Sequence, residues 1–245
     1  MMGSILGRLI DRLKLDWRRY RIPLATHRVV DAVKQQKLTY LSREKLQMLA
    51  HLCRMNERTG VPGAVIETGC ALGGSSIVMA SAKDPRRALR IYDVFDQIPP
   101  PSEKDGDDVR QRYKTITTGE SKGIGGDVYY GYQRNVYDKV FNTFGHFGID
   151  VAENNIQLIK GLIQDTLVVT SPVALAHIDV DWYEPVRISL ERIEPRLSPG
   201  GALVIDDYED WSGCRTAVDE YFSGDRMNSY SMDLSAGSLV IAKKR

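Results

Sequence analysis

The spacing of hydrophobic positions changes character once along the chain. Up to about residue 60 it is helical: Ile5, Leu6, Leu9, Ile10 and Leu13 recur every three or four residues, with Arg8, Arg12, Lys14, Arg18 and Arg19 between them. A further helix is expected from Ser42, whose hydroxyl can cap it, with Leu46, Leu49 and Leu52 as its apolar stripe. From Val61 onward, short apolar runs alternate with amphipathic ones, the grammar of a parallel sheet covered by helices. Strands are expected at 64–67, 89–93, 155–160, 174–179 and 202–205, and helices from near Gly74, Asn135, Tyr183 and Ser212. Two extended runs, 228–233 and 238–243, flank Ser235-Ala236-Gly237 and predict an antiparallel hairpin at one sheet edge. The pattern divides the chain into an N-terminal helical arm or cap (1–60) and an α/β domain (61–245). Residues 96–132, with three consecutive prolines and several glycines, break the rhythm and read as a mobile lid.

Composition narrows the classes. A 42% hydrophobic and 27% charged chain of 245 residues is an ordinary globular protein, and a net charge of +1 argues against nucleic acid as a partner. No apolar run reaches the ~18 residues of a membrane span. Arg8, Asp11 and Arg12 interrupt any signal-peptide core. Cys53, Cys70 and Cys214 have neither zinc nor disulfide-scaffold spacing, which fits a cytoplasmic protein. The first helix reads either as a membrane-surface helix or as an arm packing on its own core or on a second subunit. Asp11 and Asp16 dilute its basic face and favour the arm, and with it a homodimer.

Candidate chemistry gathers at the carboxyl ends of the strands. Ile66-Glu67-Thr68-Gly69-Cys70-Ala71-Leu72-Gly73-Gly74-Ser75-Ser76 leaves one strand and opens a helix, a glycine turn that lets a ligand approach the backbone. Dinucleotide-binding enzymes use a related turn, but Glu67 would repel a pyrophosphate and attract the amino group of S-adenosylmethionine. Asp93, ending the next strand, is placed to accept from ribose hydroxyls, and Gln164 can pair with adenine. Asp165 reads as a contact to that ligand or as the cap of a helix from Thr166. The cofactor set expected is therefore Glu67, Gly69, Gly73, Ser75, Asp93, Gln164 and Asp179.

Asp179, Asp181, Asp206 and Asp207 end two strands expected to be neighbours. Strand parity points Asp179 and Asp181 the same way. Such a cluster repels itself unless a hard cation relieves it, and all-oxygen donors suit Mg²⁺, Mn²⁺ or Ca²⁺. The competing reading makes Asp181 and Asp207 helix caps. His177 shares the parity of Asp179 but lies deeper, and is expected to be buried and satisfied by backbone.

These motifs as an ordered set resemble the macrocin-type (TylF-like) sugar O-methyltransferases, a metal-dependent branch of the Rossmann-like class I methyltransferase fold. The resemblance runs from about residue 38 to 222. It rests on Val61-Pro62-Gly63, Glu67-Thr68-Gly69, Gly73-Gly74-Ser75-Ser76, Lys160-Gly161 and Asp165-Thr166-Leu167. It continues through His177-Ile178-Asp179-Val180-Asp181-Trp182-Tyr183-Glu184, Leu197-Ser198-Pro199-Gly200-Gly201, Ile205-Asp206-Asp207-Tyr208 and Gly213-Cys214-Arg215-Thr216-Ala217-Val218. The interval from Asp179 to Asp206 also resembles the metal-ligand interval of catechol-type O-methyltransferases. The resemblance implies that Asp179, Asp206 and Asp207 bind Mg²⁺, that Asp181 is the general base and that the segment after Asp96 closes over the substrate. Val180 stands where the family commonly has glycine, Trp182 where it has leucine, and Cys70-Ala71-Leu72 where bulkier residues are frequent.

The expected activity is methyl transfer from S-adenosylmethionine to one of two vicinal hydroxyls on a sugar. A catechol or other phenolic acceptor is the nearest alternative, since Tyr40, Tyr129, Tyr130, Tyr132 and Trp182 suit either ring. A metal-dependent glycosyltransferase, with Asp179-Val180-Asp181 as an Asp-x-Asp motif, is the alternative from another class; Glu67 and the distant Asp206-Asp207 pair speak against it.

Overall fold

The computed structural model describes Tyr20 and residues 22–245; the amphipathic stretch around Ile5–Leu13 lies outside the described residues. The described chain opens with helices α1 (Leu24–Gln35) and α2 (Arg43–Thr59). Ser42 caps α2 as its hydroxyl suggested, accepting from the Lys45 amide at 3.1 Å. The alternating region follows as β1 (Ala64–Thr68), α3 (Gly74–Ala82), β2 (Leu89–Asp93), α4 (Asp107–Thr117), α5 (Val136–His146), β3 (Ile156–Lys160) and the short α6 (Ile163–Thr166). It closes with β4 (Val173–Ile178), α7 (Tyr183–Ile193), β5 (Leu197–Ile205), α8 (Ser212–Tyr221), β6 (Tyr230–Ser235) and β7 (Ser238–Lys243).

The strands form one sheet in the order β3-β2-β1-β4-β5-β7-β6, parallel from β3 to β5, with β7 antiparallel to both β5 and β6. Alternate strand residues feed two cores. Val65, Leu175 and Val204 join Val30, Leu46, Leu49 and Ile77 on one face. Ile66, Ala176 and Leu203 join Val186, Leu190, Val218 and Phe222 on the other. Helices α1 and α2 therefore share a core with the sheet. No described helix is long and apolar enough to cross a membrane.

Three elements depart from expectation. Strand β5 begins at Leu197, five residues before the expected 202, because Ser198-Pro199-Gly200-Gly201 reads as a turn yet stays in the strand through a register shift against β4. The hairpin starts at Tyr230 because Gly224–Ser229 is a 3₁₀ turn; its loop is Ala236 and Gly237, both left-handed (φ 56° and 91°), the geometry that matches strand twist. Residues 96–132 contain α4, which buries only Val109 and Ile116 and so carries little apolar signal.

The chain leaves β1 toward β2 on one side and returns as β4 on the other. The crevice above the β1–β4 boundary is the position where open α/β sheets take ligands.

Candidate active site

The glycine turn sits in that crevice. Gly69 is left-handed (φ 83°), and a Cβ there would run into the Asp179 carbonyl, so β1 and β4 end side by side only with glycine at this position. Gly73 serves packing: a Cβ would meet Val140 Cγ1 at 2.7 Å. Asp93 stitches the turn shut. Its Oδ2 accepts from the Cys70 and Ala71 amides at 2.7 and 3.1 Å, and its Oδ1 from Phe95 at 2.7 Å. Burial pushes its pKa up and these N–H donors pull it back, with a net rise.

Glu67 and His177 are register partners on β1 and β4. Glu67 is 0% exposed; one carboxylate oxygen accepts from Ser76 and the other pairs with His177 Nδ1 at 2.9 Å. Backbone was the expected partner of His177; the structure gives it a carboxylate instead. Burial opposes its protonation, but Asp206 and Glu67 raise its pKa to about 10. Glu67, Gly73 and Ser75 line neither chamber described below. The sequence reading missed this pair; two ionisable residues level with each other on adjacent strands are the signal that could have found it.

Asp179 follows the end of β4, and Asp206 and Asp207 follow β5. One oxygen from each lies within 4.8 Å of the others. Asp206 Oδ1 accepts from Ser238 Oγ at 2.8 Å and Oδ2 from Lys45 Nζ at 2.9 Å, while His177 Nε2 stands 3.9 Å from Oδ1. Burial resists ionisation of Asp206, but His177 and Lys45 override it and bring its pKa down to about 2. Asp179 and Asp207 are pushed well above the carboxylate range, first by burial and then by their acidic neighbours. Asp207 Oδ2 is buried with no hydrogen-bond partner among the described residues. An orphaned buried oxygen within a set of hard oxygen donors fits a divalent cation.

Asp181 does not reach the site by strand parity. It lies beyond β4 in a left-handed turn (φ 56°) closed by the Trp182 amide on the Val180 carbonyl at 2.6 Å. Burial raises its pKa to about 6, while Trp211 and Arg112 pull the other way. Neither Asp181 nor Asp207 is a cap: Trp182 and Trp211 hold the N-cap positions of α7 and α8, without side-chain cap bonds. Asp165 is not a cap either; it lies inside α6, whose N-cap is Leu162.

Two chambers meet here. One is lined by Tyr92, Pro99, Leu162 and Gln164, the other by Tyr40, Lys45, Arg112, Tyr129, Asp206 and Asp207. Gly69, Asp93, Asp179, Asp181, Tyr130 and Trp182 line both and form the shared wall. The 96–132 segment roofs them, tied down where Trp182 Nε1 donates to the Pro99 carbonyl at 2.9 Å and where the Tyr183 amide donates to Asp105 Oδ1 at 2.8 Å. Lys45 and Arg112 escaped the sequence reading because each sits on a helix far along the chain from the glycine turn and the acidic motifs.

A sheet of this strand order, with its penultimate position antiparallel and a glycine turn at the switch point, defines the Rossmann-like class I methyltransferase architecture. The chain belongs to the macrocin-O-methyltransferase (TylF) family, whose description matches residues 25–234, and it is an O-methyltransferase. That membership sets aside the glycosyltransferase reading of Asp179-Val180-Asp181. The chain is 30% identical over 189 residues to the 8-demethyl-8-(2,3-dimethoxy-alpha-L-rhamnosyl)-tetracenomycin-C 4'-O-methyltransferase of Streptomyces olivaceus, covering 75% of this chain and 67% of that protein. It is also 30% identical over 179 residues to the demethyldecarbamoylnovobiocin O-methyltransferase of Streptomyces niveus, covering 66% of this chain but only 58% of that protein. Among solved structures it resembles the O-methyltransferase NovP in fold, with a TM-score of 0.68 at 22% identity over 85% of this chain and 83% of that one.

Proposed function

We propose that this O-methyltransferase carries a methyl group from S-adenosylmethionine to a sugar or glycoside hydroxyl that has a hydroxyl neighbour, with Asp179, Asp206 and Asp207 holding Mg²⁺ or a similar cation. The observation that carries the reading is the three-carboxylate cluster, with Asp206 and Asp207 buried and Asp179 half-buried, at the wall shared by two chambers. The sugar acceptor is supported by the rhamnosyl substrate in the name of the Streptomyces olivaceus relative.

A bound sulfonium supplies an electrophilic methyl group, and a divalent cation supplies Lewis-acid stabilisation of the acceptor's oxygens. The chain's own residues do the rest. Asp93 spends three acceptor positions on backbone amides and keeps capacity for one ribose hydroxyl. Gln164 offers its amide to adenine from the floor of the same chamber. Asp181, in the shared wall, takes the acceptor's proton. Pro99, Tyr130 and Trp182 close over the reacting atoms and exclude water, the role we assign to the lid.

Asp181→Asn tests this. It is expected to lower kcat by about 100-fold or more, as loss of a general base does. Calorimetric affinities for S-adenosylhomocysteine and Mg²⁺ should stay near wild type. Loss of Mg²⁺ binding in that variant would move Asp181 into the ligand set instead.

A further inference from the structure

Lys45 is oddly placed for a helix residue. It is the third residue of α2, where the helix dipole disfavours positive charge and where Glu or Gln would complete a capping box with Ser42. Nothing in the helix calls for lysine there. The side chain instead leaves the helix and reaches β5. Its Nζ donates to Asp206 Oδ2 at 2.9 Å and to the Asp206 carbonyl at 3.3 Å, with Asp210 Oδ2 at 3.9 Å. The side chain is only 13% exposed. Its Cε lies beneath the β6–β7 turn, where a Cβ on Gly237 would come within 3.4 Å. From the other side Ser238 Oγ holds Asp206 Oδ1 at 2.8 Å. Helix α2 and the hairpin thus grip one carboxylate between them, inside the chamber that also holds Asp207 and its orphaned oxygen.

We propose that Lys45 is a built-in counter-cation of the acidic cluster: it offsets the carboxylates when no metal is bound, and it weakens divalent-cation binding by standing against Asp206. The proposal rests on the reading of Asp179, Asp206 and Asp207 as a metal site. An ammonium and a dication sharing one carboxylate repel each other, so each lowers the other's contribution by the same amount. Removing the ammonium therefore does two things. It leaves the metal-free cluster under-compensated, and it makes the cluster a stronger ligand. A lysine that served packing alone would act with the opposite sign, since its loss would loosen Asp206 and weaken binding.

Lys45→Met is compared with wild type by calorimetric titration with MgCl₂ and MnCl₂, and by thermal unfolding in EDTA and in saturating Mg²⁺. The expected dissociation constant of the variant is lower by about tenfold, the scale of removing one charge beside a dication in a part-buried site. Its Tm should fall below wild type in EDTA, and the gap should narrow in Mg²⁺. Lys45→Arg, which keeps the charge, should bind like wild type. If Lys45→Met does not fold, Lys45→Gln carries the same comparison, because it can keep a hydrogen bond to Asp206 without the charge. A neutral variant that binds either ion as weakly as wild type or more weakly overturns the proposal. Absence of binding in wild type and variant alike overturns the metal site itself, and the proposal with it.

Discussion

Glu67 and Asp181 both stand near the carboxyl ends of central strands, yet their surroundings give them different chemistry. Glu67 lies within β1, fully enclosed, with its oxygens committed to Ser76 and His177. Asp181 is turned by its left-handed backbone into the wall of both chambers. Sequence marks each as an acid near a glycine or a strand end. It does not say which face of the sheet a side chain enters once the strand has stopped, and this is why Glu67 was expected at the cofactor while parity was credited for Asp181. Asp179, Asp206 and Asp207 were legible because adjacency of β4 and β5 alone brings three strand-end carboxylates together. Lys45 was not, because its contact spans the chain from α2 to β5. The Glu67–His177 pair also has an energetic consequence. His177→Ala would leave a carboxylate buried without its charged partner, at a cost of about 3–5 kcal/mol. Chemical denaturation should show a shift of that size, with S-adenosylhomocysteine still bound by the folded fraction.

The sheet elements were legible almost throughout, since buried parallel strands are uninterrupted apolar runs whatever covers them. What failed was local. Pro199, Gly200 and Gly201 carry turn chemistry inside β5, and tertiary pairing with β4 overrides it. Helix α4 is nearly all polar on the sequence and is held instead by contacts from its flanks. Asp108 accepts from the Ser212 amide at 2.8 Å, and Asp105 Oδ2 accepts from the Ser102 amide and hydroxyl, both at 2.8 Å. Asp105 Oδ1, in addition, accepts from the first amide of α7, so one buried carboxylate both organises the base of the 96–132 segment and satisfies the N-terminus of the helix that follows Asp181. Asp105→Ala should therefore cost about 1 kcal/mol of stability, the usual worth of a cap. Limited proteolysis should show faster cleavage within 96–132 than in wild type. Unchanged protection of that segment would mean that the Trp182–Pro99 hydrogen bond holds it without Asp105.

At the scale of the molecule, the sheet order brings three separate sequence regions to one crevice: the glycine turn after β1, the acidic turn after β4 and the Asp206-Asp207 pair after β5. The hairpin and α2 close that crevice from outside the parallel strands, through Ser238 and Lys45 on Asp206. In the proposed function the carboxylate cluster serves methyl transfer through a divalent cation. The most direct measurement is S-adenosylhomocysteine release from S-adenosylmethionine over a panel of glycosides bearing vicinal hydroxyls. It is run with Mg²⁺, after EDTA, after Mg²⁺ is restored, and with Asp207→Asn. Release is expected to depend on the glycoside, to be lost on chelation, to return with Mg²⁺ and to be largely absent in Asp207→Asn. Equal release in all four conditions would contradict the proposed function.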